Sequence, residues 1–145
     1  MEDEKKKKED RESAERDIAG KKVMWVEDDP DLNDIMNRWL SRYDIDLVHA
    51  TNGTEALELL KKERPDILLL DIMLPDVDGF SVLESMKEDT DLKDIPVILF
   101  SNLSQKEDIN RGYELGASRF IVKSTVFLEN LAGEIRNVLR ESDNV

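Results

Sequence analysis

Five short apolar runs alternating with segments of helical spacing constrain this chain more than any other feature. The runs are residues 22–26, Ile45 to Ala50, Asp66 to Leu70, Val97 to Phe100 and Arg119 to Val122. Each has the length of a strand rather than a helix. Between them, Leu32, Ile35, Met36, Trp39 and Leu40 fall on one helical face running through about Tyr43. A second helix opens at Asn52-Gly53-Thr54-Glu55, carries Ala56, Leu57, Leu59 and Leu60, and is stopped by Pro65. A third starts at Asp78-Gly79 and presents Phe80, Leu83 and Met86. Ser104-Gln105-Lys106-Glu107 is a capping-box pattern for a fourth, ending near Gly116. A last helix from about Thr125 places Leu128, Leu131, Ile135, Val138 and Leu139 three and four apart. Parallel strands need crossovers of this length, so the alternation predicts an α/β, doubly wound, five-stranded parallel sheet with helices on both faces.

The residues that close the runs carry the chemistry. Glu27-Asp28 follows the first strand, Asp71 the third, Ser101 the fourth and Lys123 the fifth. In an open α/β sheet, ligands bind beyond the carboxyl ends of the strands, where strand order reverses. If the first and third runs are neighbours, three carboxylates converge there, and their mutual repulsion calls for a cation. A hard divalent ion such as Mg2+ suits the site, because it takes a few carboxylates, keeps waters and leaves room for phosphate oxygens. Lys123 completes the cluster. Asp29-Pro30 reads as an N-cap and first helical position. His49, Trp25 and Trp39 are read as surface or packing residues, with His49 away from the site.

The stretches Val-Glu-Asp-Asp-Pro, Leu-Leu-Asp-Ile-Met-Leu-Pro-Asp-Val-Asp-Gly and Phe-Ile-Val-Lys together resemble the receiver domain of two-component response regulators, of the chemotaxis-regulator type. The resemblance runs from residue 21 to about 140. It implies a flavodoxin-like sheet of order 2-1-3-4-5. It makes Asp71 the acceptor of a phosphoryl group from a sensor histidine kinase or a phosphotransfer protein. Glu27, Asp28, Asp71 and the main-chain carbonyl of Met73 would hold Mg2+. Lys123 would pair with the acceptor and then with the phosphoryl oxygens. Ser101 and Phe120 would form the switch, the hydroxyl reaching for the phosphoryl group while the ring turns inward. The face made by the fourth helix, fifth strand and last helix would be the output surface.

Three positions depart from the family pattern: Asn102 stands where a small residue is usual, Ser124 replaces the proline after the lysine, and Phe120 lacks the hydroxyl of the commoner tyrosine. Asn102 and Ser124 favour a second reading, a pseudo-receiver that binds partners without being phosphorylated. A third reading, a phosphatase of the haloacid-dehalogenase type, rests on Asp76-Val77-Asp78-Gly79. That motif should end an apolar strand, whereas here it follows Pro75. The protein is otherwise read as no enzyme, acting only on its own phosphorylation state.

Composition narrows the setting. The 145 residues carry a formal net charge of -13 and no cysteine, which excludes thiol chemistry and disulfides. Residues 1–20 hold eight acids and six bases with Ile18 as their one large aliphatic residue after Met1, and read as a solvated charged tail or frayed polar helix. Residues 21–142 form the receiver domain. An acidic chain without a membrane-length apolar run implies a cytoplasmic protein with no membrane contact and no direct nucleic-acid partner. With little more than one helix after Lys123, the expectation is a stand-alone regulator contacting an unidentified downstream protein.

Overall fold

The computed structural model describes residues 2–103, 105–123 and 128–143. Helix α1 (Glu2–Ile18) precedes the alternating units β1 (Lys22–Val26), α2 (Pro30–Leu40), β2 (Asp46–Ala50), α3 (Gly53–Glu63), β3 (Ile67–Asp71), α4 (Gly79–Glu88), β4 (Val97–Ser101), α5 (Lys106–Glu114), β5 (Arg119–Val122) and α6 (Leu128–Asp143). The strands form one parallel sheet of order β2-β1-β3-β4-β5, as the resemblance implied. Ser104 and Thr125, which entered the expected helix starts, lie outside the described residues, as does Ser124. Gln105 caps α5 without a side-chain hydrogen bond.

Strand alternation assigns the two cores. Val23, Trp25, Ile67, Leu69, Ile98 and Phe100 face α1, α2 and α6. Met24, Val26, Leu68, Leu70, Val97 and Leu99 face α3, α4 and α5. A parallel strand covered on both sides has no wet face, so β3 and β4 are buried along their whole length.

Two details differ from the sequence reading. The inner face of α2 is Asn33, Met36 and Leu40, while Ile35 is half exposed. Asn33 is drawn inside because its amide oxygen accepts the Trp25 indole N–H at 2.9 Å and its amide nitrogen donates to the Glu27 carbonyl at 3.0 Å. The second difference is the N-terminal segment. Its first half is exposed, as a solvated helix would be, but Ala14 and Ile18 are buried in the same core as Leu131, Ala132 and Ile135 of α6. Asp17 also pairs with Arg140. Two small apolar contacts at helical spacing suffice to dock a helix whose composition alone argues for solvation.

Ile18 tests whether α1 belongs to the cooperative unit. Ile18→Ala is expected to lower stability by about 2–5 kcal/mol, the cost of an aliphatic truncation in a close-packed core. Urea unfolding measures it. An unchanged midpoint would mean that α1 is peripheral to the fold.

Candidate functional site

Register brings the site together. β1 lies between β2 and β3, so the order reverses beside it, and β1 and β3 end level with one another, Val26 opposite Leu70. The next residues are Glu27 and Asp71. Asp71 pairs with Phe100 and Ser101 with Val122, which carries the series across to Lys123. One carboxylate oxygen from each of Glu27, Asp28 and Asp71 lies within 4.8 Å of the others. Glu27 and Asp71 are buried and Asp28 is exposed, so the cluster opens to solvent on one side.

The Lys123 ammonium fills the closed side. Its Nζ is 2.5 Å from Glu27 Oε2 and 3.0 Å from Asp71 Oδ2, with all three side chains largely buried. Burial opposes the charge on Lys123, but hydrogen bonding and attraction from Glu27 and Asp71 outweigh it and raise its pKa above the ordinary lysine value. Burial pushes the Glu27 carboxyl up, the Lys123 and Asp29 N–H hydrogen bonds oppose this, and Asp71 adds to the rise, leaving a raised pKa. The balance of three carboxylates against one ammonium leaves room for further positive charge. The donor set is entirely oxygen and partly open, which fits a hard divalent cation and offers nothing to a soft one.

The surrounding backbone is held firmly. Met73 N–H donates to Asp71 Oδ1 at 3.2 Å, and Asp29 N–H donates to Glu27 Oε1 at 3.1 Å. Gly79 N–H donates to the Ile72 carbonyl at 2.8 Å. A Cβ at Gly79 would run into the Asp71 carbonyl and sit 2.7 Å from Ile72 Cα, so only glycine lets α4 start against the backbone of the loop after Asp71. Ser101 is fully buried, and its Oγ accepts the Leu103 N–H at 3.1 Å. Phe120 is half-buried opposite Leu99, with its N–H donating to the Tyr113 hydroxyl at 3.2 Å. Asn102 and Met73 have exposed side chains.

Several neighbours were not legible in the motifs. Asn33 braces the Glu27 carbonyl, and its signal was a polar residue on the inner stripe of α2. His49 is nearer the site than expected: its Nε2 is 3.2 Å from the same carbonyl and its ring stacks on Trp25. Asp76 accepts the Gly53 and Thr54 N–H groups at 2.8 and 3.0 Å, tying the loop after Asp71 to the start of α3. A hydrogen bond from the Thr54 side chain leads the causes that hold the Asp76 carboxyl far below the usual range, with the backbone N–H groups adding to it. Asp78 caps α4 through Ser81 N–H at 3.0 Å. Both acids of the Asp-Val-Asp-Gly motif are thus engaged at helix starts, away from the roles a haloacid-dehalogenase site needs.

Comparison with known proteins places this geometry. The family model of the response regulator receiver domain matches residues 23–135, and the chain belongs to that family. Receiver domains are signalling domains. Among curated relatives, the probable transcriptional regulator ycf27 of Porphyridium aerugineum is 35% identical over 84% of this chain and 49% of its own length. The DNA-binding dual master transcriptional regulator RpaA of Synechocystis is 31% identical over 86% of this chain and 51% of its own. The chain thus spans about half the length of the curated relatives it matches. Among solved structures, the phosphorylated cyanobacterial phytochrome response regulator RcpA is 32% identical, covering 85% of this chain and 93% of that one at a TM-score of 0.69. The Mn2+-bound form of response regulator Rcp1 is 28% identical, covering 81% and 92% at a TM-score of 0.72.

The names of the curated relatives overturn the expectation that nucleic acid plays no part. A net charge of -13 describes the surface of these 145 residues. Half the length of each relative lies outside the match, and charge counted here says nothing about it. No helix among the described residues is long and apolar enough to cross a membrane.

Removing the ammonium gives the sharpest test of the cluster. Lys123→Met leaves buried Glu27 and Asp71 without their cation, and near neutral pH should cost about 3–5 kcal/mol. Because burial already raises the Glu27 pKa, acidification protonates its carboxyl and removes part of the uncompensated charge. The stability gap to wild type should therefore narrow as pH falls, read by urea unfolding at several pH values. A gap that widens on acidification would rule out this charge balance.

Proposed function

We propose that Asp71 is the phosphoacceptor of a Mg2+-dependent receiver that signals through its phosphorylation state. The observation that carries this reading is the convergence of Glu27, Asp28 and Asp71 with Lys123 at the strand-order reversal. The phosphorylated state of RcpA and the Mn2+ of Rcp1 are properties of those proteins and support it by similarity.

In the proposed reaction, a carboxylate oxygen of Asp71 attacks the phosphorus of a phosphohistidine on a sensor kinase or phosphotransfer protein. A P–O bond forms, the P–N bond breaks, and the electron pair stays on the imidazole nitrogen. Lys123 neutralises Asp71 before transfer and follows the charge onto the phosphoryl oxygens afterwards. Glu27, Asp28, Asp71 and the Met73 carbonyl would hold Mg2+, which supplies the remaining positive charge. Ser101 exchanges the Leu103 N–H for a phosphoryl oxygen, donating its hydroxyl proton, and Phe120 turns inward. The rearranged surface is that of α5, β5 and α6, read by a downstream partner. The relatives' names make control of transcription the proposed outcome for the whole protein.

Asp71→Asn is nearly isosteric but a poor nucleophile, so it should abolish phosphorylation by acetyl phosphate and keep the fold. Mass spectrometry reads the added phosphoryl group. A wild type that stays unmodified favours the pseudo-receiver, and a modified mutant places the acceptor elsewhere.

Binding of Mg2+ to the folded chain alone should raise its melting temperature. Asp28→Ala should shrink that rise while leaving the metal-free melting temperature within a few degrees. An undiminished rise would locate the metal away from Asp28.

A further inference from the structure

The face that α1 turns toward α6 changes character along its length. Ala14 and Ile18 are buried against α6, whereas Lys7, Lys8 and Arg11, at the same three-to-four spacing, line an open cleft of about 670 Å3. Across the cleft α6 presents Arg136 with the amides of Asn130 and Asn137. The floor is small, Ala132 and Gly133, so the space between the two helices is not filled by side chains. Four cations therefore meet in one recess of a chain whose net charge is -13. Two carboxylates, Glu4 and Glu134, also line it, and Glu134 is already held by Arg119 at 3.4 Å. Among the described residues, Lys7, Lys8 and Arg11 form no ion pair, although acids outnumber bases 34 to 21 in the chain.

We propose that the cleft between α1 and α6 is a binding site for a small polyanion carrying several phosphate groups. Lysines act as mobile point charges and arginines as forked donors, and both suit phosphate oxygens. Amides on the opposite wall add neutral donors. The volume falls in the range of pockets that enclose small molecules, roughly 300–1,000 Å3. α1 lies outside the region matched by the family model, residues 23–135, so the wall that carries Lys7, Lys8 and Arg11 is an addition to the matched receiver region. Nothing in it uses Asp71, and it stands whether or not the phosphoacceptor reading does.

The test is a titration of the full chain with inorganic tripolyphosphate, in EDTA at fixed ionic strength, followed by backbone amide shifts. Saturable shifts centred on Ala132, Gly133 and Arg11 are expected, with millimolar or tighter affinity, about 4 kcal/mol. Asp71→Asn should bind as wild type does, which separates this site from the phosphoacceptor. Lys7→Ser with Lys8→Ser and Arg11→Ser should weaken binding at least about tenfold, since each removes a charge-assisted contact. Far-UV circular dichroism checks that α1 persists in that variant, and if it melts the wild-type shift map decides. Shifts that never saturate, that centre on the carboxylate cluster, or that persist undiminished in an intact triple variant would overturn the proposal.

Discussion

The ammonium of Lys123, lodged between two buried carboxylates, is the interaction on which the upper end of this sheet depends. Glu27 leaves β1, Asp71 ends β3 and Lys123 leaves β5, so three strands are tied at one point. Burying either acid alone would be costly, and burying both without a cation would be prohibitive. The ion pair resolves this only in part, since Asp28 remains and Glu27 keeps a raised pKa. The site therefore keeps more carboxylates than its one ammonium can pair, and the proposed uptake of a divalent cation would use that excess. Apolar residues of similar volume in place of the buried ion pair would make the end of the sheet no less stable, and would leave no oxygen donors there.

Some acids of the chain serve helix starts, while Glu27, Asp28 and Asp71 gather at the strand ends. Asp29 caps α2, Asp76 serves the start of α3 beside the Asn52 amide, and Asp78 caps α4. Each satisfies backbone N–H groups that a helix start leaves unpaired. Asp76 does so across 23 residues of sequence, which anchors the loop that carries Met73. Neighbouring acids thus have different tasks: Asp28 faces the cluster while Asp29 is committed to a cap.

The parallel sheet was legible because its central strands are buried on both faces and read as unbroken apolar runs, with the candidate site residues as the first polar positions after them. Glu27, Asp71, Ser101 and Lys123 were singled out for that reason. The brace behind them was not. Asn33 looks like an ordinary polar helix residue until Trp25 and the Glu27 carbonyl are known to lie within reach of its two amide atoms. His49 depends on the pairing of β1 with β2, which sets it opposite Trp25. The docking of α1 escaped composition because Ile18 and Ala14 are few among many charges, and docking depends on their spacing rather than their number.

Net charge also loses position, besides saying nothing of the half of each curated relative that lies outside the match. A sum over 145 residues weights a carboxylate capping a helix equally with a lysine lining a cleft. In solution, exposed charges are felt over about 10 Å at moderate salt, so a ligand responds to a local patch and not to the total. Lys7, Lys8, Arg11 and Arg136 are within one recess, while many of the acids sit at helix starts or in the carboxylate cluster at the strand ends. An acidic protein can thus hold a basic surface, and the inference from charge to partner has to be drawn patch by patch.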